Sequence, residues 1–311
     1  MDLGITKKYM IFNLITNTTK DNRPFIRMTL TDTEGGSMNA IMFDSNKLSF
    51  EPARGQVVEV TGALQQYNGV TQLKVSDMTL LEGEDTNEFL PKSDKDAKAM
   101  EDELKAVLQK HIKSSYFKSL CNAFYADKDV YNLFTKCSAA KSVHHAYIHG
   151  LLEHTLSMVK LSALICDFYG KENVNKELTI MGALFHDIGK VQEIDIDNSF
   201  EYTDEGKLLG HLLLGINMVD KYIESIPDFP KKARDLLIHL IASHHGLLEY
   251  GSPKRPKTKE AFILHYVDNI DARINSFNMA FERENVEEGG WSQYDRILER
   301  QFYNHGLIPE E

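Results

Sequence analysis

The chain holds 12 histidines in 311 residues, and the informative ones form an ordered series on apolar segments. His154 sits in LLEHT, His186-Asp187 in LFHDIGK, His211 in LLGHLLLG, His244-His245 in IASHHG and Asp268 in LHYVDNID. Imidazole nitrogens and carboxylate oxygens are the donors that zinc, manganese, iron and similar cations accept. A lone histidine on an apolar helix is more often a satisfied core or surface residue than a ligand, but their joint occurrence reads differently. Buried polar groups are costly unless paired. His186-Asp187 follows the apolar run Met181-Gly182-Ala183-Leu184-Phe185, so a partner is demanded, and a divalent cation supplies one. Neighbouring side chains at a helix end diverge by roughly 100°. Both can then reach one ion, and the carboxylate can bridge to a second. His154, His186, Asp187, His211, His244 and Asp268 are therefore expected to build a divalent-metal site.

Such donors need rigid supports. Apolar residues recur at helical spacing over 104–112, 151–168, 178–185, 212–223, 233–242 and 261–281, between Gly, Pro and Asn punctuation. Each donor lies on or at the end of one of these stretches or the turns beside them. The first part of the chain has another period. In Phe25-Ile26-Arg27-Met28-Thr29-Leu30 the apolar Ile26, Met28 and Leu30 alternate with the others, as in a half-buried strand. Runs 56–66 and 70–81 are joined at Asn68-Gly69, a hairpin signal. With 9–16 and 37–43 these make five strands, and a short helical piece, 44–50, falls between the third and fourth. That pattern predicts a small Greek-key barrel of the oligonucleotide/oligosaccharide-binding (OB) type. The expected organisation is multidomain, β then all-α: a five-stranded OB-fold barrel over 1–84, an acidic, polar linker over 85–103, and a helical domain over 104–311. No internal repeat or low-complexity tract interrupts it.

The order H…HD…H…HH…D on helices resembles the HD superfamily of metal-dependent phosphohydrolases across 141–273, and the words HHAYIHGLLEHT, GALFHDIGK, SHHGLLEYGSPKRPKTKEA and HYVDNIDA sharpen the match. With the N-terminal barrel, nearly the full length is similar to the YhaM family of 3′-to-5′ exoribonucleases of Gram-positive bacteria. The resemblance implies one metal on His154, His186, Asp187 and Asp268. It implies a second that shares Asp187 and takes His211 and His244, with His245 as a further ligand or supporting donor. Manganese is favoured, with iron, cobalt and zinc as alternatives. A hydroxide between the two metals would attack phosphorus in line with the leaving sugar oxygen, which makes Asp187 catalytic and requires no protein nucleophile. Single-stranded RNA is the expected substrate, single-stranded DNA a second one, and nucleoside 5′-monophosphates the products. The HHAY segment places His144 and His145 at phosphate or base. His149 stands where the pattern has a small residue and is given no role.

Lys190, three residues after Asp187, is expected to offset phosphate charge or to protonate the leaving oxygen. Lys254, Arg255, Lys257 and Lys259 in SPKRPKTK follow the His244-His245 pair and would guide the strand's backbone. On the barrel, Tyr67 beside the hairpin turn and Arg27 are candidate strand contacts. Tyr9, Phe12, Phe25 and Phe43 are as readily core residues. His265 and Asp271 flank Asp268 at i−3 and i+3 and are left outside the inner ligand set. Trp291 is expected as an apolar anchor.

A net charge of −11 excludes a uniformly basic nucleic-acid surface, and residues 1–85 carry 8 Lys/Arg against 11 Asp/Glu, a net of −3. No stretch approaches the ~18 apolar residues of a membrane span, and MDLGITKKYM has no secretory-signal features, so a cytoplasmic location without membrane association is expected. The three cysteines are widely spaced with no CxxC, as expected of reduced core thiols. Assembly into a homo-oligomer is compatible with this composition. Two rivals remain: an HD enzyme acting on nucleotides or cyclic dinucleotides, and a strand-binding module with a structural site. The barrel and the missing GYP word count against the first, and the complete ligand set against the second.

Overall fold

The computed structural model describes residues 4–19, 21–67, 70–141, 145–196, 200–284, 286–295 and 298–306. The period-two segments form strands β1 (Ile5–Thr18), β2 (Pro24–Thr31), β3 (Ser37–Phe43), β4 (Val57–Tyr67) and β5 (Val70–Leu80). They close a barrel in the order β1-β2-β3-β5-β4, with β4 returning to β1. Only the β3–β5 pairing is parallel. Alternation decides which side chains point inward. Ile26, Met28 and Leu30 are buried with Ile11, Val58, Val60 and Leu73 in the barrel core. Closure leaves the described strands of the barrel no open edge to pair with another chain. The short helical piece is a 3-10 turn at Ser45–Lys47. The Asn68-Gly69 turn lies outside the described residues.

The helices are α1 (Ala97–His111), α2 (Ser115–Ala126), α3 (Lys128–Lys136), α4 (Gly150–Tyr169), α5 (Lys176–Phe185), α6 (Lys190–Glu193), α7 (Asp204–Glu224), α8 (Lys231–Ser243) and α9 (Lys259–Glu284). Several starts carry the cap their chemistry calls for: Asp96, Asp127, Asn175 and Thr203 each accept from a backbone N–H three residues on. Helix α4 buries residues on most of its circumference, Leu151, His154, Met158 and Ala163 among them. Helices α2 and α3 have no counterpart in the periodicity. Asp127 ends one and caps the other without Gly or Pro, so the break carries no conventional punctuation.

Two compact units result. One gathers the described residues of Met1–Pro91 and Asn275–Glu311, the other those of Lys92–Ile196 and Phe200–Ile274. The stretch 85–103 holds more structure than its polar composition suggests. A 3-10 turn at Thr86–Phe89 precedes the buried Phe89 and Leu90, and α1 starts behind the Asp96 cap. Two-residue ribbons β6 (Ile194–Asp195) with β7 (Glu201–Tyr202), and β8 (Gly290–Trp291) with β9 (Tyr303–Asn304), complete the fold. Trp291 is no apolar anchor: it is 64% exposed, while Phe302 takes the buried position on that ribbon. Among the described residues no helix is long and apolar enough to cross a membrane.

Leu30 is fully buried in the barrel core. Leu30→Ala is expected to destabilise the barrel by about 2–5 kcal/mol, read as a lower urea midpoint; an unchanged midpoint would contradict this packing.

Candidate metal centre

Five elements bring the donors together. Helix α4 supplies His154, the end of α5 supplies His186 and Asp187, α7 supplies His211, the end of α8 supplies His244 and His245, and α9 supplies Asp268. Two glycines make the approach feasible. Gly210 breaks α7 with φ 71°, so His211 starts a new helical segment. Glu193 receives both the backbone N–H of His211 (2.9 Å) and its ring Nδ1–H (3.1 Å). A Cβ on Gly189 would lie 2.0 Å from the His211 carbonyl oxygen and 2.5 Å from Gly215 N. Only glycine allows the His186-Asp187 turn to sit that close to α7.

The inner atoms have the spacing of metal donors. His154 Nε2 lies 3.0 Å from His186 Nε2, 3.4 Å from Asp268 Oδ1 and 3.7 Å from Asp187 Oδ2. His186 Nε2 is 3.3 Å from that same Asp187 oxygen. Around the other oxygen, Asp187 Oδ1, the Nε2 atoms of His211 and His244 each stand at 3.5 Å, and His245 Nε2 is 3.3 Å from His211 Nε2. Metal–ligand bonds of ~2.0–2.2 Å place adjacent donors on one ion roughly 2.8–3.6 Å apart. The sets His154/His186/Asp268, His186/Asp187/His244 and His211/His244/His245 each gather donors able to hold an ion.

Acceptors behind the rings fix how each histidine presents itself. Nδ1–H donates from His154 to Asp271 (2.7 Å), from His186 to Ala183 O (2.9 Å) and from His244 to Ile241 O (2.8 Å), as it does from His211 to Glu193. Carbonyl and carboxylate oxygens only accept. Each Nε2 is therefore the lone-pair nitrogen, aimed inward. Two such lone pairs 3.0 Å apart, on His154 and His186, repel unless a cation lies between them. Without metal, a proton serves. Burial opposes charge on His154, yet its hydrogen bonds with Asp268 and Asp271 lift its pKa to about 9. Burial, helped by the neighbouring His245 and His186 and opposed by Asp187, pushes His244 down to about 3, leaving it neutral.

Asp187 is the buried hub. Its burial disfavours charge, but the Lys190 ammonium and the surrounding imidazoles hold its carboxyl well below the usual carboxylate range. Oδ2 pairs with Lys190 Nζ at 2.7 Å. Among the described residues Oδ1 is buried with no hydrogen-bond partner, because the facing Nε2 atoms carry no proton to give. A buried charged oxygen left in that state is costly, and a cation beside it removes the cost. The donor chemistry and the orphaned oxygen both fit divalent metal.

The other candidates from the sequence take the following places. Lys190, placed by sequence at the phosphate, is buried, bonded to Asp187 and to Ala139 O (2.5 Å), although it lines the cleft. His145, placed at the substrate, is buried and bonds Tyr147 OH (2.8 Å) and Asp271 (2.9 Å), so it supports His154 from behind. Its positive φ of 50° turns it inward. His144 lies outside the described residues. His149 bonds Thr135 O, and His265 bonds the backbone of His244. Asp271, left outside the inner set by the sequence, is the direct partner of His154. Glu193, Tyr147 and Glu153 have no sequence signal. Tyr147 links His145 to Glu153, and Ser93 bonds the same carboxylate. Lys254, Arg255 and Lys257 are exposed after α8, and on the barrel Tyr67 and Arg27 are exposed as well. Asp187, Lys190, His244, His245, Asp268, Asn269 and Ala272 line a cleft of about 260 Å³.

The HD domain family matches residues 151–273, and the OB-fold nucleic acid binding domain matches 13–81. Relatives called 3′-5′ exoribonuclease YhaM align over almost the whole chain. The one from Bacillus subtilis is 33% identical over 301 residues, covering 93% of this chain and 92% of its own. This chain belongs to the YhaM family. The relative from Bacillus licheniformis is 32% identical (94% and 93% covered) and that from Listeria monocytogenes 31% (95% and 93%). In this YhaM-family chain the HD match contains every inner donor and Asp271, while His145, Tyr147 and Ser93 lie before it.

Because His154 holds a proton up to about pH 9 without metal, metal uptake must displace it. Manganese affinity is expected to rise between pH 7 and 9, with about one proton released per protein at pH 7 and a small, falling fraction from His154 above pH 9.5. Calorimetry in buffers of different ionisation enthalpy reads the release; pH-independent uptake would contradict it.

Proposed function

We propose that this chain is a metal-dependent 3′-to-5′ exoribonuclease that releases nucleoside 5′-monophosphates from single-stranded RNA in the cytoplasm, with single-stranded DNA as a second substrate. The observation that carries this reading is Asp187: one carboxylate whose two oxygens face two separate histidine groups at an open cleft. Two divalent ions there, manganese foremost, would supply the activated water and neutralise charge on the phosphoryl oxygens. His154, His186, Asp187 and Asp268 would hold one ion, and Asp187, His211, His244 and His245 the other.

The protein's own groups do the rest. Lys190 keeps Asp187 ionised and adds positive charge to the cleft wall, close to an incoming phosphate. Asp271 and Glu193 orient His154 and His211. Lys254, Arg255 and Lys257 offer cations to a strand's backbone. On the barrel, Phe25, Arg27, Phe43 and Tyr67 line one groove, with the Arg27 guanidinium 5.6 Å from the Phe25 ring centre. Such a mixture of rings and a cation suits unpaired bases. Attack from the 3′ end follows the activity for which the relatives are named. The buried, unbridged cysteines accord with a reducing compartment.

A matched pair of oligoribonucleotides, labelled at the 3′ or the 5′ end, tests the reading. With manganese, immediate mononucleotide release from the 3′ label is expected, and Asp187→Ala should cut the rate at least ~1000-fold. Turnover of free nucleotides without strand shortening, or loss of the 5′ label first, would overturn it.

A further inference from the structure

The C-terminal segment carries an aromatic surface that the hydrolytic reading leaves unused. In the β8–β9 ribbon Trp291 pairs with Tyr303, and side chains alternate between its faces. Inward, Phe302 is buried against Phe277 of α9 with ring centres 4.0 Å apart. Ser292 is buried beside it, its N–H donating to Phe302 O and its Oγ accepting from Phe302 N, both at 2.8 Å. Gly289 N–H to Asn304 O (2.6 Å) and Asn304 Nδ2 to Val286 O (2.7 Å) tie down the other end. Outward, Trp291 is 64% and Tyr303 45% exposed, their ring centres 5.0 Å apart and their planes at 39°. Tyr294, 61% exposed, follows. A rigid support thus displays large rings to solvent, an arrangement that marks an interaction site.

Gln293, two residues after Trp291, lines the same groove of about 620 Å³ on the barrel as Phe25, Arg27, Phe43 and Tyr67. We propose that Trp291 and Tyr303 form a second base-stacking platform, continuous with the barrel groove through Gln293, for unpaired nucleobases of an RNA strand. This rests on the RNA-degrading function above. Size argues against a protein partner. Three rings of ~150–250 Å² each fall short of the ~800 Å² per partner that a stable protein interface buries. They match two or three stacked bases. Stacking uses the π-face that every base has, so the platform would lengthen the bound strand without selecting its sequence.

Trp291 is the sole tryptophan, so its emission reports this surface alone. The full chain is titrated in EDTA, which prevents cleavage, with a single-stranded oligoribonucleotide of ~12 nucleotides, and binding is followed separately by anisotropy of a fluorescein label. Quenching of Trp291 with the same midpoint as the anisotropy is expected. Trp291→Ala combined with Tyr303→Ala should weaken binding by ~10-fold or more, and Trp291→Phe should retain most of it. With manganese, the double variant should show a raised KM and an unchanged kcat. Binding without any change in Trp291 emission would overturn the platform and leave the nuclease reading intact. Emission that follows protein concentration instead of RNA would also overturn it, identifying a self-association face. Absence of both RNA binding and RNA turnover would remove the platform and the nuclease reading together.

Discussion

One buried carboxylate organises the helical unit. Asp187 sits buried among four imidazoles and an ammonium at the base of the cleft, and among the described residues one of its oxygens has no hydrogen-bond partner. A protein core tolerates such a group only if a positive charge is supplied. Lys190 supplies one on the Oδ2 side. The Oδ1 side faces only lone-pair nitrogens, so the chain alone leaves the carboxylate half compensated. The rest of the unit follows from holding that arrangement in place: α5 ends where the His-Asp pair must diverge, and α7 breaks at Gly210 where His211 must turn.

Precision comes from the layer behind the donors. Asp271, Glu193 and two helix carbonyls each take an Nδ1 proton and so decide where the opposite nitrogen points. Asp271 accepts from two histidines at once, from Nδ1 of His154 and from Nε2 of His145. Its carboxyl is held well below the usual range because both rings hydrogen-bond it against the opposing effect of burial. The same residue thus keeps its charge and aligns a donor on a different helix.

The inner donors were legible in the sequence because coordination needs specific residue types, and six His or Asp side chains in apolar surroundings are hard to explain otherwise. The barrel was legible too, since Ile26, Met28 and Leu30 fix its inner face by simple alternation. The supporting layer was not. Glu193 looks like any surface glutamate until the Gly210 break brings His211 onto it, and carbonyls such as Ala183 O and Ile241 O leave no trace in side-chain patterns. Residue type did not reveal burial for His145 and Lys190: both suit phosphate, yet His145 bonds Asp271 and Tyr147, and Lys190 bonds Asp187 and Ala139 while still lining the cleft. Trp291 misled in the opposite sense, because a large apolar side chain suggests burial while the ribbon's alternation turns it outward.

The proposed chemistry requires Asp187 to join two cations. Anomalous diffraction at the manganese edge, from crystals grown with manganese, tests that most directly. Two peaks roughly 3.5–4 Å apart should appear, one beside His154, His186 and Asp268 and one beside His211, His244 and His245, each bonded to a different oxygen of Asp187. A single peak, or two peaks of which either makes no contact with Asp187, would contradict it.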